Sequence, residues 1–272
     1  MNQLNQYKLY KGVWICNNNH SEEKLSPQEC KTLLNEGGYC IRNTYNFDKN
    51  KKTSFWYVIK DSFGGIEELP TKVRNMVRKS LNTYEIAKLT DKNDFRNFGF
   101  DIYVSAQESY KIKCKVITNE EFKNLATGFI NNPHIDIWYV KNKGTNEIVA
   151  LAITTIHNDN YCEYNTLKAK ESALRNNTYP YYGLIYEMNR YYLQERNFKY
   201  VNDGARSITN HSNIQPFLIE KFKFRKAYCD IELIYQWWLK PIIKILYPFR
   251  NIIPCAKIQS FLNIEAMARG EM

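Results

Sequence analysis

Three strand-like stretches, residues 135–140, 148–156 and 161–167, follow one another with only short polar breaks. The breaks carry Asn142-Lys143-Gly144 and Asn158-Asp159-Asn160, residue types that enter tight turns readily. Strands joined so closely lie antiparallel, because a parallel return needs a crossover of roughly a dozen residues or more. This meander commits the chain to a fold built on an antiparallel sheet.

Helical spacing surrounds it. Residues 84–89 read as a short strand, then 93–109 and 119–130 as helices, the second opening at Thr118 with Glu121 completing a capping box. After the meander comes a long helix over 182–196 with Leu184, Ile185, Met188, Tyr192 and Leu193 inward. A short strand over 200–202 ends at Asp203-Gly204, followed by a helix over 213–222 and a strand over 227–235. Ahead of this block, Ser26 and Glu29 cap a helix ended by Gly37-Gly38. Stretches 39–42 and 54–59 are strand-like, and 70–81 is a helix with Arg74 and Arg78 one turn apart. The expected organisation is an N-terminal α/β extension over 1–82, a central domain over 83–236 and a basic, aromatic tail over 237–272.

Aromatic residues (21 Tyr, 14 Phe and 5 Trp) are far too many for a disordered chain. No apolar run approaches the roughly 20 residues that cross a bilayer, and the start lacks the apolar core of a signal peptide, so a cytoplasmic protein is expected. The seven cysteines form no CxxC and the four histidines no HxH or HxxxH, so neither a disulfide framework nor a metal site is expected. The net charge of +10 favours an acidic partner (nucleic acid, an anionic membrane surface or a phosphate-bearing small molecule) or is simply a solvated basic surface. Lys72, Arg74, Arg78 and Lys79 stand without an acid between Leu69 and Tyr84, as do Lys240, Lys244, Arg250 and Lys257 between Leu239 and Ile264. Neither stretch is a long basic tract interleaved with stacking aromatics, so nucleic acid is not the leading partner.

The order β-α-α-β-β-β-α-β-α-β over residues 83–236, with Asn213 followed by Leu218-Ile219-Glu220-Lys221-Phe222-Lys223-Phe224, resembles the GNAT acyltransferase superfamily. Four further stretches resemble a GNAT-like branch related to Fem-type peptidoglycan aminoacyltransferases and associated with bacterial surface polysaccharide. They are Leu69-Pro70-Thr71-Lys72-Val73-Arg74 with Arg78-Lys79, Val201-Asn202-Asp203-Gly204-Ala205-Arg206, Phe224-Arg225-Lys226-Ala227-Tyr228-Cys229 and Leu246-Tyr247-Pro248-Phe249-Arg250. The resemblance implies an α/β fold, a mixed, mainly antiparallel GNAT sheet flanked by helices. It implies acyl transfer to an amine, an amino sugar or nucleotide sugar, with acetyl-CoA or another acyl-CoA as co-substrate. A Fem-type enzyme using aminoacyl-tRNA and a non-catalytic binding protein on a degenerate fold stay open as alternatives, and so does an oligomer.

Two departures stand out. The glycine-rich pyrophosphate loop is replaced by 175–183, which offers only Gly183 and loses a donor at Pro180, so Arg175, Asn177 and the remaining amides would carry the phosphates. The tyrosine that often protonates the leaving thiolate is Ile219. The carrier's arm is expected between the strand ending at Leu167 and the one ending at Asp203, near Asn213.

Asp203 reads as a group that binds or deprotonates the acceptor, or as one half of an Asp-Gly turn. His211 reads as a base near neutral pH or as a loop histidine beside the Ser212 cap. Glu163 reads as a carboxylate base or as the polar position of an alternating strand. Arg206 and Arg74 would grip an anionic acceptor group, or belong to the solvated surface. The tail over 237–250 has the composition of an interfacial anchor, giving peripheral contact with the inner face of an anionic membrane, or else packs on the protein.

Overall fold

The computed structural model describes residues 3–16, 24–110, 115–207 and 213–271. In chain order the first elements are β1 (Tyr7–Tyr10), β2 (Val13–Cys16), α1 (Pro27–Asn35), β3 (Cys40–Tyr45), β4 (Phe55–Lys60), α2 (Thr71–Thr83) and β5 (Tyr84–Lys88). Next come α3 (Phe95–Glu108), α4 (Asn119–Asn131), β6 (Ile135–Asn142), β7 (Ile148–His157), β8 (Tyr161–Ala169), α5 (Glu171–Arg175) and α6 (Pro180–Asn189). The last are β9 (Tyr200–Ala205), α7 (Ile214–Phe222), β10 (Arg225–Tyr235), α8 (Leu239–Leu246) and α9 (Ala256–Ala268). Strands β1 and β2 and helix α9 have no counterpart in the sequence reading.

The chain groups into two units that interleave along the sequence. A terminal unit gathers Met1–Tyr57, Ala205–Ser212 and Lys226–Met272; a central unit gathers Val58–Gly204 and Asn213–Arg225. These units cut across the expected segments 1–82, 83–236 and 237–272.

In the central unit β5, β6, β7 and β8 pair antiparallel in succession and β9 adds parallel to β8. Side chains alternate across this sheet, so each strand feeds two layers. Ile137, Leu151 and Ile153 meet Phe95, Tyr103 and Phe122 from α3 and α4. Asp136, Trp138 and Thr154 take the other face, where Tyr192 follows α6. The Tyr192 hydroxyl donates to Asp136 Oδ2 at 2.9 Å, accepts from Trp138 Nε1 at 3.0 Å and lies 2.7 Å from Thr154 Oγ1. Every member is partnered, the condition under which a buried polar network rigidifies a core.

The long helix expected over 182–196 is α-helical only through Asn189 and continues as a π-helical turn over Arg190–Glu195. The wider turn brings both Tyr191 and Tyr192 against Trp138, with ring centroids 5.4 and 5.9 Å away. Leu193, expected inside, is left half-buried. Thr118 and Ser26 cap α4 and α1 through complete capping boxes, as the sequence predicts.

In the terminal unit β1 and β2 form a hairpin, β2 runs parallel to β3, and β3 pairs antiparallel with β10 from Tyr45↔Asp230 to Cys40↔Tyr235. Leu33 of α1 packs on Ile41 of β3. Ile243 and Tyr247, on and just after α8, pack on Leu262 and Ala266 of α9. Among the described residues no helix is long and apolar enough to cross a membrane.

Candidate active site

The central unit contains a fork. Strands β8 and β9 pair at Tyr161↔Tyr200, Cys162↔Val201 and Glu163↔Asn202, and no further pair forms between them among the described residues. Yet β8 continues to Ala169 and β9 to Ala205. Alternate backbone groups of β8 beyond Glu163 therefore face the gap without a ladder partner in β9. On its other edge β8 carries a bulge: Ile153 pairs with Thr166 but Thr154 with Tyr164, which leaves Asn165 as the extra residue. Bulges re-aim side chains and backbone groups, and they recur beside active sites.

Asp203 stands at the mouth of this fork, inside β9 and not in a turn as the Asp-Gly pair suggests. Within this strand Asn202 Oδ1 accepts from Gly204 N at 2.8 Å, and Gly204 takes φ +90°, a value that favours glycine. Burial pushes the Asp203 carboxyl up to about 7; a hydrogen bond from Gln215 of α7 opposes the rise and the nearby charge of Glu163 adds to it. Asp203 follows Asn202, so alternation puts it on the face of Tyr164, whose hydroxyl donates to Asn189 Oδ1 at 2.9 Å.

Glu163 faces the opposite side. His157 Nε2 lies 3.3 Å from Glu163 Oε2. The His157 ring stacks on Tyr161 at 4.5 Å and 8°, and Tyr161 on Tyr200 at 4.9 Å and 22°. The sequence reading misses His157. The register supplies the signal: His157 pairs with Tyr161 across the turn, so Glu163 is its diagonal neighbour on one face.

Among the other candidates, Leu167 lies half-buried on the stretch of β8 past the fork, opposite Ala152. Asn177 holds a left-handed backbone (φ 52°) between α5 and α6, and Arg175 is exposed and paired with Glu171 one turn back. Asn213 precedes α7, exposed, with no side-chain cap bond. His211 lies outside the described residues. Arg206 belongs to the terminal unit, where its guanidinium stacks over Trp56 at 4.2 Å and donates to Ser54 O at 2.7 Å. Arg74 is bonded to Glu67, which also takes Arg78. That acid lies just before Leu69–Tyr84, a stretch with no acid of its own.

Gly183 has a packing role. A Cβ there would meet Ser80 Oγ of α2 at 2.4 Å and Ile86 Cδ1 of β5 at 2.6 Å. Gly183→Leu is therefore expected to destabilise the protein by about 3 kcal/mol, read from the shift of the urea midpoint. An unchanged midpoint with weakened donor binding would assign Gly183 to phosphate instead. The start of α6 is poor in donors: Pro180 has none, and Tyr182 N is already bonded to Tyr179 O at 3.0 Å. Among the described residues no group of three or more His, Cys, Asp or Glu side chains is arranged to hold a metal ion.

The architecture matches known structures at low identity. FemX superposes with a TM-score of 0.56 at 10% identity, over 81% of this chain and 81% of its own. The fold is FemX-like. The structure of L-PGS from Bacillus licheniformis superposes with a TM-score of 0.51 at 10% identity, over 97% of this chain and 85% of its own. The α/β architecture with a mainly antiparallel sheet is thus shared with these proteins. No family model matches the sequence, and no curated protein matches it.

Proposed function

We propose that the chain is an N-acyltransferase, moving an acyl group from acyl-CoA to the amine of an amino sugar or nucleotide sugar used for cell-surface polysaccharide. One observation carries the acyl-transfer reading: the β8–β9 fork with a buried carboxyl poised near neutral pH at its mouth. The sugar acceptor comes from the sequence resemblance alone.

In this reading the thioester lies along the unpaired part of β8, past Leu167, and its carbonyl oxygen accepts from backbone N–H groups between Tyr164 and Leu167. The amine attacks the carbonyl carbon and gives its proton to ionised Asp203; the C–N bond forms, the C–S bond breaks, and the thiolate takes a proton from solvent, since Ile219 offers none. Glu163, braced by His157, orients the acceptor from the other face. Arg175 and Asn177 hold the donor's phosphates, and Arg74, released from Glu67, meets an anionic acceptor group.

A second reading, a Fem-type enzyme taking its acyl group from aminoacyl-tRNA, is favoured by the donor-poor start of α6. Thermal unfolding in the presence of acyl-CoAs, aminoacyl-tRNA and nucleotide sugars separates them. A ligand at about 100 times its Kd adds roughly 2.7 kcal/mol to the folded state, an easily measured rise in Tm. Acyl-CoA is expected to give that rise. A rise with aminoacyl-tRNA alone selects the second reading, and no rise with either donor removes both.

A further inference from the structure

Helix α8 is apolar on two sides. Its inner stripe, Leu239, Ile243, Leu246 and then Tyr247, packs against α9. Its outer stripe, Trp238, Ile242, Ile245 and then Phe249, recurs at spacings of four, three and four, which align on one helical face. That stripe is bare: Ile245 is 67% and Phe249 54% exposed, and beside it Trp237 is 84% and Ile252 76% exposed. A helix apolar all round is ordinarily buried all round, and a contiguous exposed apolar patch marks an interaction surface.

Charge narrows the occupant. No acidic residue occurs from Trp237 to Ile264. Lys240, Lys244 and Lys257 are exposed and have no ion pair among the described residues. Arg250 does not join them, because it pairs with Glu271 at 3.4 Å. Nearby, Glu265 is held by Arg269 and Tyr235, and Glu232 by Lys24. At 100° per residue Lys240 and Lys244 fall on the side of the helix away from the outer stripe, so a stripe turned into a bilayer leaves their long side chains at the headgroup level. An anionic bilayer meets this unopposed positive charge and also suits the two tryptophans, whose rings settle at the headgroup level.

We propose that the outer face of α8 and the turn that follows it dock the protein onto an anionic lipid surface, with Ile242, Ile245, Phe249 and Ile252 among the acyl chains and the three lysines at the headgroups. The proposal uses only the terminal unit and stands whether or not the acyl-transfer reading does.

The test is co-sedimentation of the full chain with vesicles of mixed phosphatidylglycerol and phosphatidylcholine, against pure phosphatidylcholine, at low and high salt. Binding to the anionic vesicles at low salt, weakened by high salt, is expected. Ile245→Ser with Phe249→Ser should lower the partition coefficient at least about tenfold, since burying either side chain is worth that much. Lys240→Gln with Lys244→Gln should flatten the salt dependence and keep residual binding. Both pairs replace exposed side chains, and an unchanged Tm confirms intact folding. Absence of binding to anionic vesicles at low salt overturns the proposal, and so does binding that both double variants retain in full. A concentration-dependent dimer abolished by Ile245→Ser with Phe249→Ser, without vesicle binding, assigns the face to a second copy.

Discussion

Asp203→Asn is expected to lower kcat for CoA release in the presence of an amine acceptor by about 10²–10⁴-fold, the usual contribution of a positioned general base. The same change should leave stability at pH 8 equal or greater. Asp203's folded-state value, about 7, lies above its ordinary 3.8. The folded state therefore holds the proton over a pH range in which the unfolded chain has lost it. That contribution is complete below the ordinary value and is lost as pH rises through about 7, where the buried carboxyl must ionise. Asparagine never ionises, so the variant escapes the loss. The parent's activity should rise with pH through about 7 as the base deprotonates, and this limb should vanish in Asp203→Asn. An Asp203→Asn protein with full turnover, or with lost turnover and a collapsed Tm at every pH, removes Asp203 from the chemistry.

Glu68→Ala is expected to cost about 3–5 kcal/mol of stability, the penalty for leaving a buried charge without its partner. Lys60, on β4, is only 2% exposed, and its ammonium lies 2.8 Å from Glu68 Oε1. The carboxylate reaches it from the 3-10 turn Ile66–Glu68 just before α2. Pairing Lys60→Met with Glu68→Leu should restore most of the loss, because apolar groups of similar volume replace buried ion pairs at little cost. Urea unfolding of the single and double variants measures the coupling. A single variant within about 1 kcal/mol of the parent would mean that water reaches Lys60.

The parts of the fold legible in the sequence are those written locally. The meander over β6, β7 and β8 shows because turn residues punctuate short strand-forming runs, and α1 and α4 show because their capping boxes are contiguous in the chain. The site is less legible, since its decisive features are relations between strands. Nothing local says that β8 and β9 part after Glu163↔Asn202, or that Asn202 and Gly204 carry the strand through what looks like a turn. His157 becomes a neighbour of Glu163 only once the hairpin register is known. The π-helical turn after α6 hides because one extra residue barely alters an apolar pattern. The basic stretches mislead by their windows: Glu67 lies just before the first and Glu271 beyond the second, yet each pairs with an arginine inside.

The interleaving of the two units bears on how the chain is made. Strand β3 ends at Tyr45, but its partner β10 begins pairing at Asp230. At a synthesis rate of about 5–20 residues per second, roughly 10–40 s pass before that partner is translated. The central unit needs only Val58 to Arg225 and can condense on the ribosome first. Through that interval β1, β2 and β3 wait with one sheet edge open, the stretch most exposed to wrong strand pairing.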